Sequence, residues 1–244
     1  LTGGNGSDTA DYSGDPAPAS VNLITGTATD GWGNTDTLNG IENVLGSAGT
    51  DALTGDANDN ILNGSSGNDT INAGAGDDTL IGGPGADTLN GEAGTDTVDY
   101  TNDTGAVTVN LQGQTGVDGT GATDTYTSIE NATGSGFNDS LTGSTGANTI
   151  IGGGGNDTIY GTNGSDTLTG GAGTDTVNYA ASAAAVTVNL AAGTKTDGAG
   201  NNDTLSTIEN VTGSANNDNL TGDGNTNVLS GGNGNDTING GGGN

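Results

Sequence analysis

Aliphatic residues recur once every nine positions along three stretches of this chain, each flanked by polar neighbours. In "GGPGADTLN" and "GEAGTDTVD", which adjoin at Gly91, Leu89 and Val98 each stand two residues after an aspartate. If the nonapeptide is numbered from its first residue, usually glycine, position 6 is Asp and position 8 aliphatic. One run starts at residues 46, 55, 64, 73, 82 and 91, a second at 134, 143, 152, 161 and 170, and a third at 213, 222 and 231. A single repeat begins at Gly3. The polar–apolar–polar triplet at positions 7 to 9 predicts a strand of about three residues with one side chain inward. One aliphatic per nine residues is too sparse for an amphipathic helix or a sandwich core. It suffices for a thin core if successive coils stack with their strands in register.

Between the runs lies a second pattern. Tyr12, Tyr100 and Tyr179 each close a run, and the next run opens 34 residues later, at Gly46, Gly134 and Gly213. The inserts share "SVNLITG", "TVNLQGQ" and "TVNLAAG", then "IENV", "IENA" and "IENV". Their V-N-L stretches alternate as half-buried strands do. Degenerate nonapeptides between them place Asp36, Asp124 and Asp203 at position 6. The inserts read as longer turns that continue the stack. The expected organisation is the end of a block at 1–12, inserts at 13–45, 101–133 and 180–212, and blocks at 46–100, 134–179 and 213–244. The closing tyrosines are expected to cover the core where the nonapeptide is interrupted.

Composition changes the picture. Glycine supplies 51 of 244 residues, Leu, Ile, Val and Phe only 38, and the formal charge is −29 with Lys195 the one basic residue. A chain this polar and this charged does not bury enough apolar surface to fold unaided. Its charge repels nucleic acid and anionic membranes and attracts cations. No apolar run approaches the ~20 residues of a membrane span. With no Cys, neither disulfides nor thiolate sites staple the fold. No signal peptide is visible, and the chain opens inside a repeat, as a fragment or processed piece does. It stops at position 5 of a repeat and starts at position 8, so two residues would join end to start in phase. This suggests one window of a longer array, or copies of the chain stacking end to end.

Of the 26 aspartates, twelve fall at position 6: Asp8, Asp51, Asp69, Asp78, Asp87, Asp96, Asp139, Asp157, Asp166, Asp175, Asp218 and Asp236. Asn60, Asn148 and Asn227 hold that position in the second repeat of each run. Stacked coils ~4.8 Å apart would align these carboxylates in columns, which are unstable unless a cation lies between them. Carboxylate and glycine carbonyl oxygens suit a hard ion with six to eight oxygen ligands, Ca²⁺, better than Mg²⁺. Multiple Ca²⁺ ions are therefore the expected cofactor.

The tandem GGxGxD-x-aliphatic-x motif resembles the calcium-binding nonapeptide of the repeats-in-toxin (RTX) proteins. The resemblance covers roughly three fifths of the chain. It implies an all-β, right-handed parallel β-roll or β-solenoid, elongated and stabilised by calcium, with two nonapeptides per turn. Carried over, it pairs Asp51 with Asp69, Asp69 with Asp87, Asp78 with Asp96, Asp139 with Asp157, Asp157 with Asp175, and Asp218 with Asp236. Asn60 with Asp78 and Asn148 with Asp166 would be weaker sites. It also implies one-step export and folding outside the cell, at the cell surface or beyond.

No His and no Cys remove the commonest general bases and nucleophiles, and periodic aspartates are unlike a glycosidase pair, so the chain is not read as an enzyme. Lys195 reads as a solvated loop lysine, and Trp32 and Phe137 as local packing. Glu42, Glu130 and Glu209, one per insert, fit either extra ligands or turn caps. Three functions remain: a structural stalk, filament or surface-layer module of a secreted adhesin-like bacterial protein, the accessory repeat module of a secreted protease, lipase or epimerase, and a carbohydrate-contacting module that no aligned aromatics support.

Overall fold

A computed structural model describes residues 1–197 and 200–243. Every regular element among them is a strand, and most are three residues long. The triplet Thr70–Asn72 is typical: Thr70 and Asn72 face out and Ile71 faces in, fully buried. Within the runs most strands are followed by glycine, which carries the chain round the corner.

The chain forms two compact units, residues 1–105 with 113–131, and residues 106–112 with 132–244. In the first, parallel strands alternate between two sheets. Ala52–Thr54, Thr70–Asn72 and Thr88–Asn90 follow one another in one sheet, and Ile61–Asn63, Thr79–Ile81 and Thr97–Asp99 in the other. Leu53 pairs with Ile71 and Ile71 with Leu89, a shift of two nonapeptides per coil. The second unit repeats this with Ser140–Thr142, Thr158–Tyr160 and Thr176–Asn178 in one sheet and Thr149–Gly154 with Thr167–Ala172 in the other. Each unit is thus a parallel β-roll, as the RTX resemblance implies.

The position-8 side chains form the core between the sheets. Leu53, Leu62, Ile71, Leu80 and Val98 are 0% exposed. Each such burial contributes roughly 1.5–3 kcal/mol, a small core per residue of chain.

The inserts differ from the expected long turns. The first is an antiparallel meander of Ser20–Asn22, Thr27–Thr29 and Thr35–Thr37, and its first strand pairs in parallel with Ala52–Thr54 of the next run. The third is the same meander, Val186–Asn189, Thr194–Asp197 and Asn202–Ser206; its first strand pairs in parallel with Asn219–Thr221 and its last with Thr167–Ala172. Gly26 and Gly193, with φ of 62° and 64°, turn the chain back between the first two strands. The V-N-L strands are present as expected. What the sequence reading missed is the reversed middle strand, built from Thr-rich stretches that also favour extended backbone.

Candidate metal centre

The position-6 side chains point back into the corner of the roll, where two kinds of contact hold them. The first is a ladder along the stack. The backbone N–H of Asp51 donates to Oδ1 of Asp69, that of Asp69 to Asp87, and that of Asp78 to Asp96, at 2.7, 2.7 and 2.9 Å. Asp139, Asp157 and Asp175 repeat the ladder at 2.8 Å, and Asp218 reaches Asp236 at 3.0 Å. Asn60 donates to Asp78 and Asn148 to Asp166 in the same manner. All the sequence-derived pairs are therefore brought together in register.

The second contact is the glycine at position 1. A Cβ there would stand 2.2 Å from Oδ2 of Asp69 at Gly64, 2.3 Å from Asp87 at Gly82, and 2.3 Å from Asp157 at Gly152. At Gly152 the same point lies 2.4 Å from the carbonyl oxygen of Gly170, one coil on. The missing side chain makes a cradle into which a carboxylate oxygen and a carbonyl oxygen converge. Ala73 alone breaks the glycine pattern within the first run's position 1 at Asp78. In the repeat at Gly82, positions 2 and 4 need glycine for a different reason: Gly83 and Gly85 have φ of 88° and 153°, and their would-be Cβ atoms collide with the carbonyls of Ser65 and Gly67.

In Asp69, Asp78, Asp87, Asp96, Asp157 and Asp175, Oδ1 is satisfied by the ladder, but the second oxygen is not. Oδ2 of Asp8, Asp69, Asp78, Asp87, Asp96, Asp157 and Asp175 is buried without a hydrogen-bond partner. A buried carboxylate left this way is costly. Burial, opposed by the ladder bond and reinforced by neighbouring carboxylates, pushes Asp69 up to about 7 and Asp87, Asp96 and Asp157 up to about 6. Asp166 rises to about 6 by burial, with Asp203 adding and Lys195 opposing. Asp78 and Asp175 also rise, chiefly by burial. Among the described residues no three Asp, Glu, His or Cys side chains converge on one point. Any ion here is therefore held by carboxylates supplemented by backbone carbonyls, an all-oxygen set suited to a hard cation.

The other predicted ligands have protein partners. The first aspartate of each run is bound by the serine at position 2: Asp51 by Ser47, Asp139 by Ser135 and Asp218 by Ser214, through both N–H and hydroxyl. Its Oδ1 also accepts from the insert strand, at Ala19, Val107 and Val186. The amide nitrogens of Asn60 and Asn227 donate to the carbonyls of Glu42 and Glu209, eighteen residues back, at 2.8 and 2.9 Å. That donor gives asparagine a contact at residues 60 and 227 that aspartate would lack.

Asp124 and Asp203 of the inserts continue the ladder but carry their own donors. Asp124 accepts the Asp87 N–H on Oδ1 and the Tyr100 hydroxyl on Oδ2, at 2.9 and 2.6 Å. Tyr100 in turn bonds the Tyr126 hydroxyl. Burial pushes Asp124 up to about 7, against the lowering by Tyr100. Asp203 accepts from the Asp166 N–H and, at 2.9 Å, from the Tyr179 hydroxyl. Asp36 takes a longer bond, 3.3 Å, from Tyr12. The tyrosines do cover the core, and their hydroxyls also serve these carboxylates.

Two readings of single residues are corrected. Lys195 is not a solvated loop lysine: it is 1% exposed, directly opposite Asp203 across an antiparallel pair, with Nζ 3.4 Å from Oδ2 and 5.2 Å from the Tyr179 ring. The inward face of the middle insert strand offers the place, and the buried carboxylate supplies the counter-charge. Trp32 and Phe137 are 64% and 45% exposed at loop tips, so they do not serve as packing.

The family model of the RTX calcium-binding nonapeptide repeat, written as four copies, matches residues 36–71, 63–98, 133–168, 152–181 and 212–244. Those segments cover more than half of the chain. The chain belongs to the RTX calcium-binding nonapeptide repeat family. A search of curated proteins finds no match. RTX repeats bind several Ca²⁺ ions, so calcium is the cofactor of this chain, and the orphaned oxygens and glycine cradles are the features that fit it. The RTX assignment also marks the chain as a calcium-binding module of the kind carried by secreted proteins.

Proposed function

We propose that this RTX chain is a calcium-dependent structural module of an extracellular bacterial protein, a segment of a stalk, filament or surface-layer array. The observation that carries it is the row of buried carboxylate oxygens without partners, because it ties folding to the ion. Asp8, Asp69, Asp78, Asp87, Asp96, Asp157 and Asp175 are the primary ligands in this reading, with position-1 carbonyls completing each shell. In the cytosol, where free Ca²⁺ is low, the charged columns keep the chain unfolded. Outside, binding and folding are one event. Repeat stacks contact only their neighbours and so lengthen without a growing core, which suits a spacer. The inserts favour a structural role over a simple export aid, since all three preserve the strand pairing and two of them, at Asp124 and Asp203, the carboxylate ladder.

The test is a Ca²⁺ titration followed by far-UV circular dichroism, with negative-stain microscopy of the same sample. The expected result is a disordered chain in chelator that becomes β-rich with Ca²⁺ and not with equal Mg²⁺, and that forms stacks or fibres on the grid. A folded chain in excess chelator overturns the calcium mechanism. Folding into discrete particles that never associate favours the accessory module of a secreted enzyme instead.

A further inference from the structure

Each insert ends in a turn shorter than any nonapeptide corner. In the first run, position 1 to position 8 spans Gly82 to Leu89. In the third insert the equivalent span is Thr207 to Val211, and in the first it is Gly40 to Val44. The equivalence rests on register: Val211 pairs with Val177, and Val44 with Ala10, both at position 8. Three residues are missing from the corner, including the position-6 aspartate. A glutamate stands in the shortened turn each time: Glu42, Glu130 and Glu209.

These glutamates occupy the place of the missing aspartate. Oε2 of Glu130 accepts the Asp96 N–H at 2.9 Å, Oε2 of Glu209 that of Asp175 at 2.8 Å, and Oε2 of Glu42 that of Asp8 at 2.9 Å. This is the ladder contact that the next position-6 aspartate makes elsewhere, reached here by a side chain one methylene longer. The chain then returns to phase, for Asn60 and Asn227 lie eighteen residues after Glu42 and Glu209 and bond to their carbonyls.

The second oxygen of the partner aspartate is the independent observation. Asp96 and Asp175 are 0% exposed, and Oδ2 of each is buried without a partner, as is Oδ2 of Asp8. The glycine cradle is also present. A Cβ on Gly91 would lie 2.1 Å from the Ser128 carbonyl and 2.4 Å from Asp96 Oδ2. On Gly170 it would lie 2.1 Å from the Thr207 carbonyl and 2.5 Å from Asp175 Oδ2. At Gly3 the Gly40 carbonyl and Asp8 Oδ2 are placed alike, at 1.8 and 2.7 Å. Ser128 and Thr207 accept φ of 52° and 48° to aim those carbonyls, a conformation unusual for residues with a Cβ.

We propose that the shortened turns are calcium sites of a second type, each built from one nonapeptide aspartate and one insert glutamate: Asp96 with Glu130, Asp175 with Glu209, and Asp8 with Glu42. Each takes a divalent hard cation on Asp Oδ2, the Glu carboxylate and the carbonyl of residue 128, 207 or 40. The insert then continues the metal column of the runs. This rests on the calcium reading of the nonapeptides.

The test uses the full chain and three variants, Glu130→Gln, Glu209→Gln and Glu130→Gln/Glu209→Gln. Glutamine keeps an oxygen to accept the Asp96 or Asp175 N–H and loses only the charge, so the turn cap survives. Bound Ca²⁺ is counted after equilibrium dialysis, with circular dichroism confirming the β-rich state. Each single variant is expected to bind one ion fewer than the unaltered chain, and the double variant two fewer. Asp87→Asn serves as the nonapeptide control. If the glutamine variants bind as many ions as the unaltered chain while the control loses one, the glutamates only cap the turn and the proposal is overturned. If the unaltered chain binds no calcium, the reading of the nonapeptides fails first, and this proposal with it.

Discussion

Replacing Lys195 by Met isolates a contact that sequence reasoning placed in solvent. The Lys195–Asp203 pair is buried, with side chains 1% and 0% exposed and 3.4 Å between charges. Methionine keeps most of the stem's packing and removes the ammonium. Among the described residues Asp203 would then keep the Tyr179 hydroxyl and the Asp166 N–H. Removing one partner from a buried pair costs about 3–5 kcal/mol, out of roughly 5–15 for a whole domain. Because the two units need not unfold together, a single melting temperature is a poor readout. Native-state hydrogen exchange at saturating Ca²⁺ resolves the site through peptides covering Thr167–Ala172 and Asn202–Ser206. A loss of 3–5 kcal/mol lowers protection by roughly two to three and a half powers of ten. Peptides from Thr115–Val117, the matching strand of the second insert, should not change. That insert supplies a rescue. There Gly116 stands opposite Asp124 in place of lysine, and the Tyr126 hydroxyl fills the space a Gly116 Cβ would meet at 1.7 Å. Lys195→Gly combined with Leu205→Tyr transplants that solution and should recover most of the protection. If Lys195→Met changes protection less than about threefold, roughly 0.7 kcal/mol, the pair contributes no more than a surface bridge and the reasoning fails.

Further outcomes follow from the same geometry. Aspartates such as Asp69 and Asp87 sit at about 7 and about 6 in the fold, against ~3.9 in an unfolded chain, so the native state binds more protons. The metal-free fold is therefore most favoured below pH ~4 and loses that stabilisation as pH rises towards 7; circular dichroism in chelator should show β-structure gained on acidification, and no gain would contradict the burial of these groups. Gly85→Ala places a Cβ 1.5 Å from the Gly67 carbonyl at a φ of 153°, so the Ca²⁺ midpoint of folding should move upward, whereas an unchanged midpoint would mean the corner relaxes freely. Ser135→Ala removes a hydroxyl bonded to both oxygens of Asp139. A hydrogen bond to a charged group is worth about 1.5–3 kcal/mol, so urea unfolding at fixed Ca²⁺ should begin earlier in the second unit, as read by exchange in Ser140–Thr142.

The sequence by itself determined the coil. One aliphatic and one aspartate in nine residues admit few arrangements other than short strands stacked in register; the RTX resemblance adds the two nonapeptides per turn, and Leu53, Ile71 and Leu89 stand in that register. It also determined the ion's chemistry, because −29 charges without His or Cys leave only oxygen ligands. A strict period carries tertiary information: residues eighteen apart are neighbours wherever the period holds. Where the period breaks, that rule is silent, and only the tertiary structure decided. The middle strand of each insert runs antiparallel because its turn reverses it, and Lys195 meets Asp203 only through that reversal. Glu130 lies 34 residues from Asp96, a spacing that matches no multiple of nine, so its place in the ladder is invisible until three deleted corner residues are seen in space. Likewise the split among position-6 residues, some orphaned and some served by Ser47, Ser135 or a tyrosine, depends on which backbone donors each corner presents.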